Sequence, residues 1–170
     1  MDSPEQIFAR AQALHRLGQL REAEPLYRAV LELAPTDGFA NHRLGMLLLQ
    51  SNRADEAEPV LRRSVAAPQT AAEAMAHLGL ALHHLGRFEE ALDCLERADA
   101  AGLGARLPLW RASTRVELGR LEAARADLDC ALAMDPGFTE SRLQHSPLRL
   151  LLEEDPAEPG LVRPAAGGAN

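Results

Sequence analysis

Apolar side chains recur along the chain at intervals of three and four residues, the spacing that lays them on one face of an α-helix. Leu44, Leu47 and Leu48 form one such stripe; Ala91, Leu92, Leu95 and Ala98 form another. The chain therefore predicts helices, with nothing resembling a strand protein. A longer period is laid over the short one: Glu22-Ala23, Glu56-Ala57, Glu90-Ala91 and Ala123-Ala124 follow one another at 34, 34 and 33 residues. Ahead of each pair stands Leu17-Gly18, Ser51-Asn52, Leu85-Gly86 or Leu118-Gly119, a helix-ending residue followed by one that tolerates positive φ. Each unit is therefore a helical hairpin. Upstream of the turn lies a column of small residues, Ala11, Gly45, Gly79 and Ala112, and downstream a column of bulky ones, Tyr27, Leu61, Leu95 and Leu128. Small against large is how two helices interlock. A unit this short cannot close its own core, so the copies must stack into an open array with an extended surface.

With these columns in agreement, the chain resembles the tetratricopeptide repeat family, in copies at about 4–37, 38–71, 72–104 and 105–138. The fullest copies carry Leu78-Gly79 with Leu82, Gly86, Phe88 and Ala91, and Leu17-Gly18 with Ala23, Tyr27 and Pro35. The resemblance implies an all-α fold, a right-handed superhelical α-solenoid of four helical hairpins. Gln69 and Leu103 depart from it where Pro35 and Pro136 close other copies, and Arg115 falls in a column otherwise filled by Leu14, Leu48 and Leu82. Pro25 and Pro59 sit early in their second helices, where the lost donor costs little.

Past Phe138, Leu143, Leu148 and Leu150 to Leu152 predict a capping helix over 139–152, broken by Pro147, that closes a domain spanning 1–152. A leucine-rich face for dimerisation is the other role open to it. Residues 153–170, rich in Pro, Gly, Ala and acid, read as a disordered tail. At the other end Ser3 is expected to cap the first helix, with Pro4 at its first position and Gln6 closing a capping box.

Composition narrows the functional classes. The 170 residues are 46% hydrophobic but only 4% aromatic, as suits helices packed through Ala and Leu. No run approaches the ~18 apolar residues of a membrane helix and no basic-then-apolar leader opens the chain, so a soluble, cytoplasmic protein of bacterial style is expected, with no membrane partner. Cys94 and Cys130, both on second helices among apolar neighbours, read as buried reduced thiols. No phosphate-binding loop, nucleophile elbow, paired helical histidines with glutamate or cysteine–base pair is present, so no enzyme activity and no cofactor are expected. A net charge of −7 without a basic stripe argues against nucleic acid.

The charge is unevenly placed. The four first helices hold six arginines and three acids, a net +3, which leaves −10 for the rest. By resemblance the first helices line the concave side, so the groove is expected to be less acidic than the back and acidic peptides fit it. Solvated acids at the starts of the second helices, favoured by the macrodipole, explain part of the asymmetry. Five of the six histidines, His15, His42, His77, His83 and His84, also lie on first helices. Their spacing supplies no zinc pair on one helix; only a cross-helix site such as His42 with His77 would remain, and its ligand set is incomplete. They read as solvated or hydrogen-bonded groove side chains.

Carried onto this chain, the family's inward-facing columns give Phe8, Gln12 and His15; His42, Arg43, Met46 and Leu49; His77, Leu80 and His84; and Trp110 and Ser113. The resemblance implies that they bind an extended peptide or a helix of a partner protein, with Phe8, Met46 and Trp110 supplying contact area and Arg43 pairing a carboxylate. For Phe8 and Trp110, packing between hairpins is the competing role. Members that clamp a chaperone's C-terminal carboxylate use lysine, asparagine and arginine where this chain has Phe8, Gln12, Arg43, Glu73 and His77, so that role is not expected. The leading expectation is a protein-interaction scaffold; a regulatory or substrate-selecting subunit of a transferase or hydroxylase system and a self-assembling structural protein stay open beside it.

Overall fold

The computed structural model describes residues 3–98, 103–144 and 146–153. Eight helices form four antiparallel hairpins: α1 (Pro4–Arg16) with α2 (Leu20–Leu33), α3 (Gly38–Gln50) with α4 (Ala54–Val65), α5 (Ala71–His84) with α6 (Phe88–Arg97), and α7 (Arg106–Glu117) with α8 (Leu121–Met134). Successive hairpins stack, α2 on α3, α4 on α5 and α6 on α7. The described residues are an all-α solenoid with no strand.

The local signals act as their chemistry requires. At the start of α1, the Ser3 amide donates to Gln6 Oε1 (2.8 Å) and the Gln6 amide to Ser3 Oγ (3.3 Å), a complete capping box with Pro4 at the first helical position. All four hairpin turns close alike. Gly18, Asn52, Gly86 and Gly119 take φ of +75°, +56°, +74° and +68°. The next amide then reaches back to the last turn: Gln19 to Leu14 (3.0 Å), Arg53 to Leu48 (2.9 Å), Arg87 to Leu82 (2.9 Å) and Arg120 to Arg115 (2.8 Å). Asn52 is the only described non-glycine with positive φ, a role asparagine fills at modest cost.

The small and large columns meet inside each hairpin. Tyr27, Leu61, Leu95 and Leu128 are fully buried. A methyl group on Gly45 would lie 2.5 Å from the Leu61 side chain, and one on Gly79 would lie 2.7 Å from Leu95 Cγ. These glycines set how closely the helix axes approach.

Polar groups tie the second hairpin together and to the turns on either side of it. Buried Asn41 donates to the Pro35 and Asp37 carbonyls and accepts from Arg63 Nε at 3.0 Å. Ser64 and Thr70 hydrogen-bond at 3.0 Å, and Ser64 Oγ also donates to the Gly38 carbonyl. On the second helices a salt-bridge cluster repeats at 34 residues: Arg53 pairs Glu24 of the hairpin before it and its own Glu56, and Arg87 pairs Glu58 and Glu90 in the same way. The acids that open α4 and α6 are thus paired as well as favoured by the helix dipole.

The fourth hairpin replaces a piece of apolar core with charge. Arg115 stands in the column of Leu48 and Leu82, and Arg111 in that of Leu44 and Leu78. Both reach Asp127, which occupies the column of Val60 and Cys94 and is 3% exposed. Arg111 donates to Asp127 Oδ1 from Nε (3.0 Å) and a terminal nitrogen (2.6 Å), and Arg115 binds Oδ2 and also Glu96 at 2.9 Å.

Beyond α8, α9 runs Pro136–Leu143, capped by Asp135, whose side chain accepts from the Phe138 amide at 3.0 Å. A 3₁₀ turn at Pro147–Arg149 leads into α10 (Leu150–Glu153). The capping helix expected over 139–152 is therefore two helical pieces with Pro147 at the restart, and its first piece begins three residues early because Asp135-Pro136 is an N-terminus in its own right. Leu143 and Leu148 are buried on Leu128 and Ala131, whereas Leu150 is exposed. Cys94 is buried as expected; Cys130 is exposed, because its position on α8 faces away from the α7 contact made by Leu128 and Ala131. The expected tail lies, from residue 154 on, outside the described residues.

Candidate interaction groove

Ten of the twelve side chains singled out from the sequence line two adjoining clefts along the first helices. Gln12 and His15 from α1 and Arg43 and Met46 from α3 line one of about 320 Å³, with Arg16, Tyr27 and Gln50. Met46 and Leu49 from α3, His77, Leu80 and His84 from α5, and Trp110 and Ser113 from α7 line one of about 490 Å³. Met46 and Gln50 belong to both, so the clefts form one groove. Helical spacing explains the assembly: Met46 with Leu49, His77 with Leu80 and His84, and Trp110 with Ser113 lie three, four or seven residues apart on one face. A further hollow of about 630 Å³, lined by Leu132, Gly137 and Leu152 among others, lies at the C-terminal end and takes nothing from the first helices.

Phe8 and His42 line neither cleft. Half-buried Phe8 packs edge-on against Tyr27, with centroids 5.8 Å apart, so its ring serves the core. His42 is 3% exposed and His77 8%, so of the two expected roles, solvated or hydrogen-bonded, these two take the second. The sequence sets them one residue out of column with each other, and the stacking of α3 on α5 brings the rings together. His42 Nε2 lies 3.1 Å from His77 Nδ1, which also lies 2.9 Å from the Glu73 carbonyl. A neutral pair satisfies both distances: His77 Nδ1–H donates to Glu73 O and, shared, to His42 Nε2, leaving His42 Nδ1 facing the Glu73 carboxylate at 3.8 Å. Trp110 continues the row, its ring 5.4 Å from that of His77.

Burial pushes His42 down to about 4, helped by His77 and Arg43. It also lowers His77, against the pull of the Glu73 carbonyl hydrogen bond and the Glu73 charge. His15 is lowered by burial, opposed by its 3.1 Å hydrogen bond to Gln50. His83 is turned out of the groove: its ring is lowered by burial and bonds Thr114 Oγ1 of the next hairpin at 3.1 Å. At neutral pH His15, His42 and His77 therefore leave the groove's positive charge largely to other groups, Arg43 and Arg106 among them. Arg111 and Arg115, counted with the first-helix cations, are committed to Asp127 and leave that count. No group of three His, Cys, Asp or Glu able to hold a metal occurs among the described residues, and the adjacent imidazoles bind each other instead.

What the repeat columns missed lies at the C-terminal end of the large cleft. Arg106, Phe138 and Arg142 line it with Leu109, Leu143, Ser146 and Leu148. Both guanidinium groups stand over the Phe138 ring, 5.7 and 5.4 Å from its centroid. Phe138 closes the fourth copy and Arg142 lies beyond it, both on α9, which is neither helix of a repeated hairpin.

No described helix is long and apolar enough to cross a membrane. Sequence profiles of the tetratricopeptide repeat match residues 4–37 and 42–106, together more than half of the chain. Solved structures share the fold. MamA (residues 41 to the end) from Desulfovibrio magneticus RS-1 is 25% identical, with a TM-score of 0.70 over 85% of this chain and 78% of that one. Another MamA crystal structure is 21% identical, with a TM-score of 0.72 over 88% and 81%. TTC0263, a thermophilic TPR protein in Thermus thermophilus, is 20% identical, with a TM-score of 0.70 over 90% and 83%. No curated protein matches the chain.

Proposed function

From the chain's membership of the tetratricopeptide repeat family, whose arrays are protein-interaction scaffolds, we propose that it binds a segment of a partner protein along the groove of its first helices. The observation that carries this reading is the continuity of the two clefts. Four successive first helices line it: α3, α5 and α7 contribute half-buried apolar side chains, Met46, Leu49, Leu80 and Trp110, among polar ones, Gln12 of α1, Arg43 and Ser113. Apolar anchors at intervals hold a side chain each, and the polar groups between them fix register and direction. The groove suits an extended strand of peptide or one face of a helix.

Partner capture from lysate with two charge-reversal variants tests this. Arg43→Glu alters a half-buried groove residue that forms no described ion pair; Arg97→Glu alters an exposed residue of α6 whose described partner is Asp93, on the same helix. A specific partner should be lost on Arg43→Glu and kept on Arg97→Glu, with both variants folded by circular dichroism. Equal recovery on all three chains would place recognition outside the groove. His77→Glu is a poor probe, because it would bury a carboxylate against His42.

A further inference from the structure

We propose that the C-terminal half of the groove is an anion-selecting subsite, in which Arg106 and Arg142 receive carboxylates of an acidic segment of the partner while its apolar side chain lies on Trp110. The proposal rests on the groove reading above and names the chemistry of the ligand.

Three observations carry it. The first is charge without counter-charge. No described carboxylate lines either cleft of the groove, and neither Arg106 nor Arg142 forms an ion pair with a described carboxylate, although arginine–acid pairs are plentiful elsewhere on the molecule. Glu73, the nearest acid to the histidine row, is turned to His42.

The second is convergence. Two like charges, one from α7 and one from α9, are held within 6 Å of one aromatic ring. No described carboxylate of the cleft balances either charge, so an anion bound there is attracted by both. The planar guanidinium fork suits carboxylate, and a ring beneath it fixes its plane.

The third is position. Arg106 is the first residue of α7, where a cation opposes the helix dipole, and α7 has no side-chain cap. A residue placed against its local preference is expected at a functional site. Beside the arginines the cleft is apolar, with Trp110, Leu80 and Leu109 in its wall, so an acidic segment with no apolar residue would leave that wall wet.

Trp110 is the only tryptophan in the chain, so its fluorescence reports the subsite directly. Three blocked peptides of equal length serve as probes: one of Glu and Leu, the same with every Glu changed to Lys, and the same with every Leu changed to Ser. The Glu/Leu peptide should give a saturable change in Trp110 emission that weakens with added salt. The Lys/Leu and Glu/Ser peptides should bind at least about tenfold more weakly, and Arg106→Glu with Arg142→Glu should weaken the Glu/Leu peptide by about tenfold or more. Arg106→Gln with Arg142→Gln, which removes charge without reversing it, should give an intermediate loss and guards against misfolding of the reversed pair. Equal affinity for the Lys/Leu peptide, or no effect of either arginine pair, overturns the anion subsite and leaves the groove reading standing. Absence of any saturable change also overturns it, since the groove would still be tested by partner capture. A chain ending at residue 153 separates the remaining occupant: if it alone binds the Glu/Leu peptide, the acidic residues 154–170 fill the subsite in the intact chain, and a partner segment is not its resident ligand.

Discussion

Replacing Asp127 by valine should destabilise the fourth hairpin strongly, and adding Arg111→Leu and Arg115→Leu should restore it. The carboxylate is 3% exposed and neutralises two guanidinium groups whose side chains are 26% and 19% exposed. Removing one partner of a buried ion pair leaves uncompensated charge, at about 3–5 kcal/mol. Here the arginines keep some solvent, and Arg115 retains Glu96 and the Ala123 carbonyl, so the expected loss is nearer about 2–4 kcal/mol. The triple variant installs the residue types that the second and third hairpins carry in these columns, Leu44 and Leu78, Leu48 and Leu82, and Val60 in place of the acid. Apolar replacement of a whole buried cluster is commonly neutral or stabilising. Urea unfolding followed in parallel by far-UV circular dichroism and Trp110 fluorescence measures both, the second signal arising within α7 itself. A single variant within about 1 kcal/mol of the native chain, or a triple variant no better than the single, would refute the claim that this cluster stands in for core.

Three further outcomes follow from the packing. Gly79→Ala should destabilise by about 1–2 kcal/mol despite a helix-propensity gain of about 1, because the new methyl meets Leu95 Cγ and the Ala91 carbonyl oxygen, and a stabilised variant by urea midpoint would contradict the interlock. Gly18→Ala meets open space but keeps φ at +75°, so its cost of about 1 kcal/mol should be insensitive to Leu61→Ala or any other core truncation. His42 titrates near 4 when folded and near 6.5 when free, so the folded chain binds fewer protons between those values; stability is full above about 6.5 and falls as pH drops toward 4, by up to about 3 kcal/mol, with His77 acting in the same direction. His42→Gln should flatten that dependence in urea melts at pH 7 and 4.5, and an unchanged slope would sink the assignment.

The repeat period made the architecture readable because every hairpin solves the same two problems the same way: a left-handed residue must follow the first helix, and a small side chain must face a large one. Those demands act on single positions, so Gly18, Asn52, Gly45 and Gly79 declare them in the sequence. Ten of the positions implied by the family's inward-facing columns line the two clefts, because residues three, four or seven apart share one helix face. What stayed hidden depends on pairs of positions far apart. Arg115 looked like a departure from its column because its compensation, Asp127, sits in another helix. For His42 and His77 the sequence left solvated and hydrogen-bonded roles both open, because the mutual hydrogen bond that allows their burial joins two different hairpins. Arg142 and Phe138 belong to α9, which is neither helix of a repeated hairpin, and Cys130 shows that apolar neighbours in sequence do not bury a residue on the outer face of a helix.

Hydrogen exchange on the intact chain, with and without a captured partner, is the most direct test that the groove is the working surface. Binding in the groove predicts slowed exchange concentrated in α1, α3, α5 and α7, strongest around Met46, Leu80 and Trp110, with α2, α4, α6 and α8 changed little. Protection confined to the second helices, around the Arg53 and Arg87 salt-bridge clusters, would contradict it.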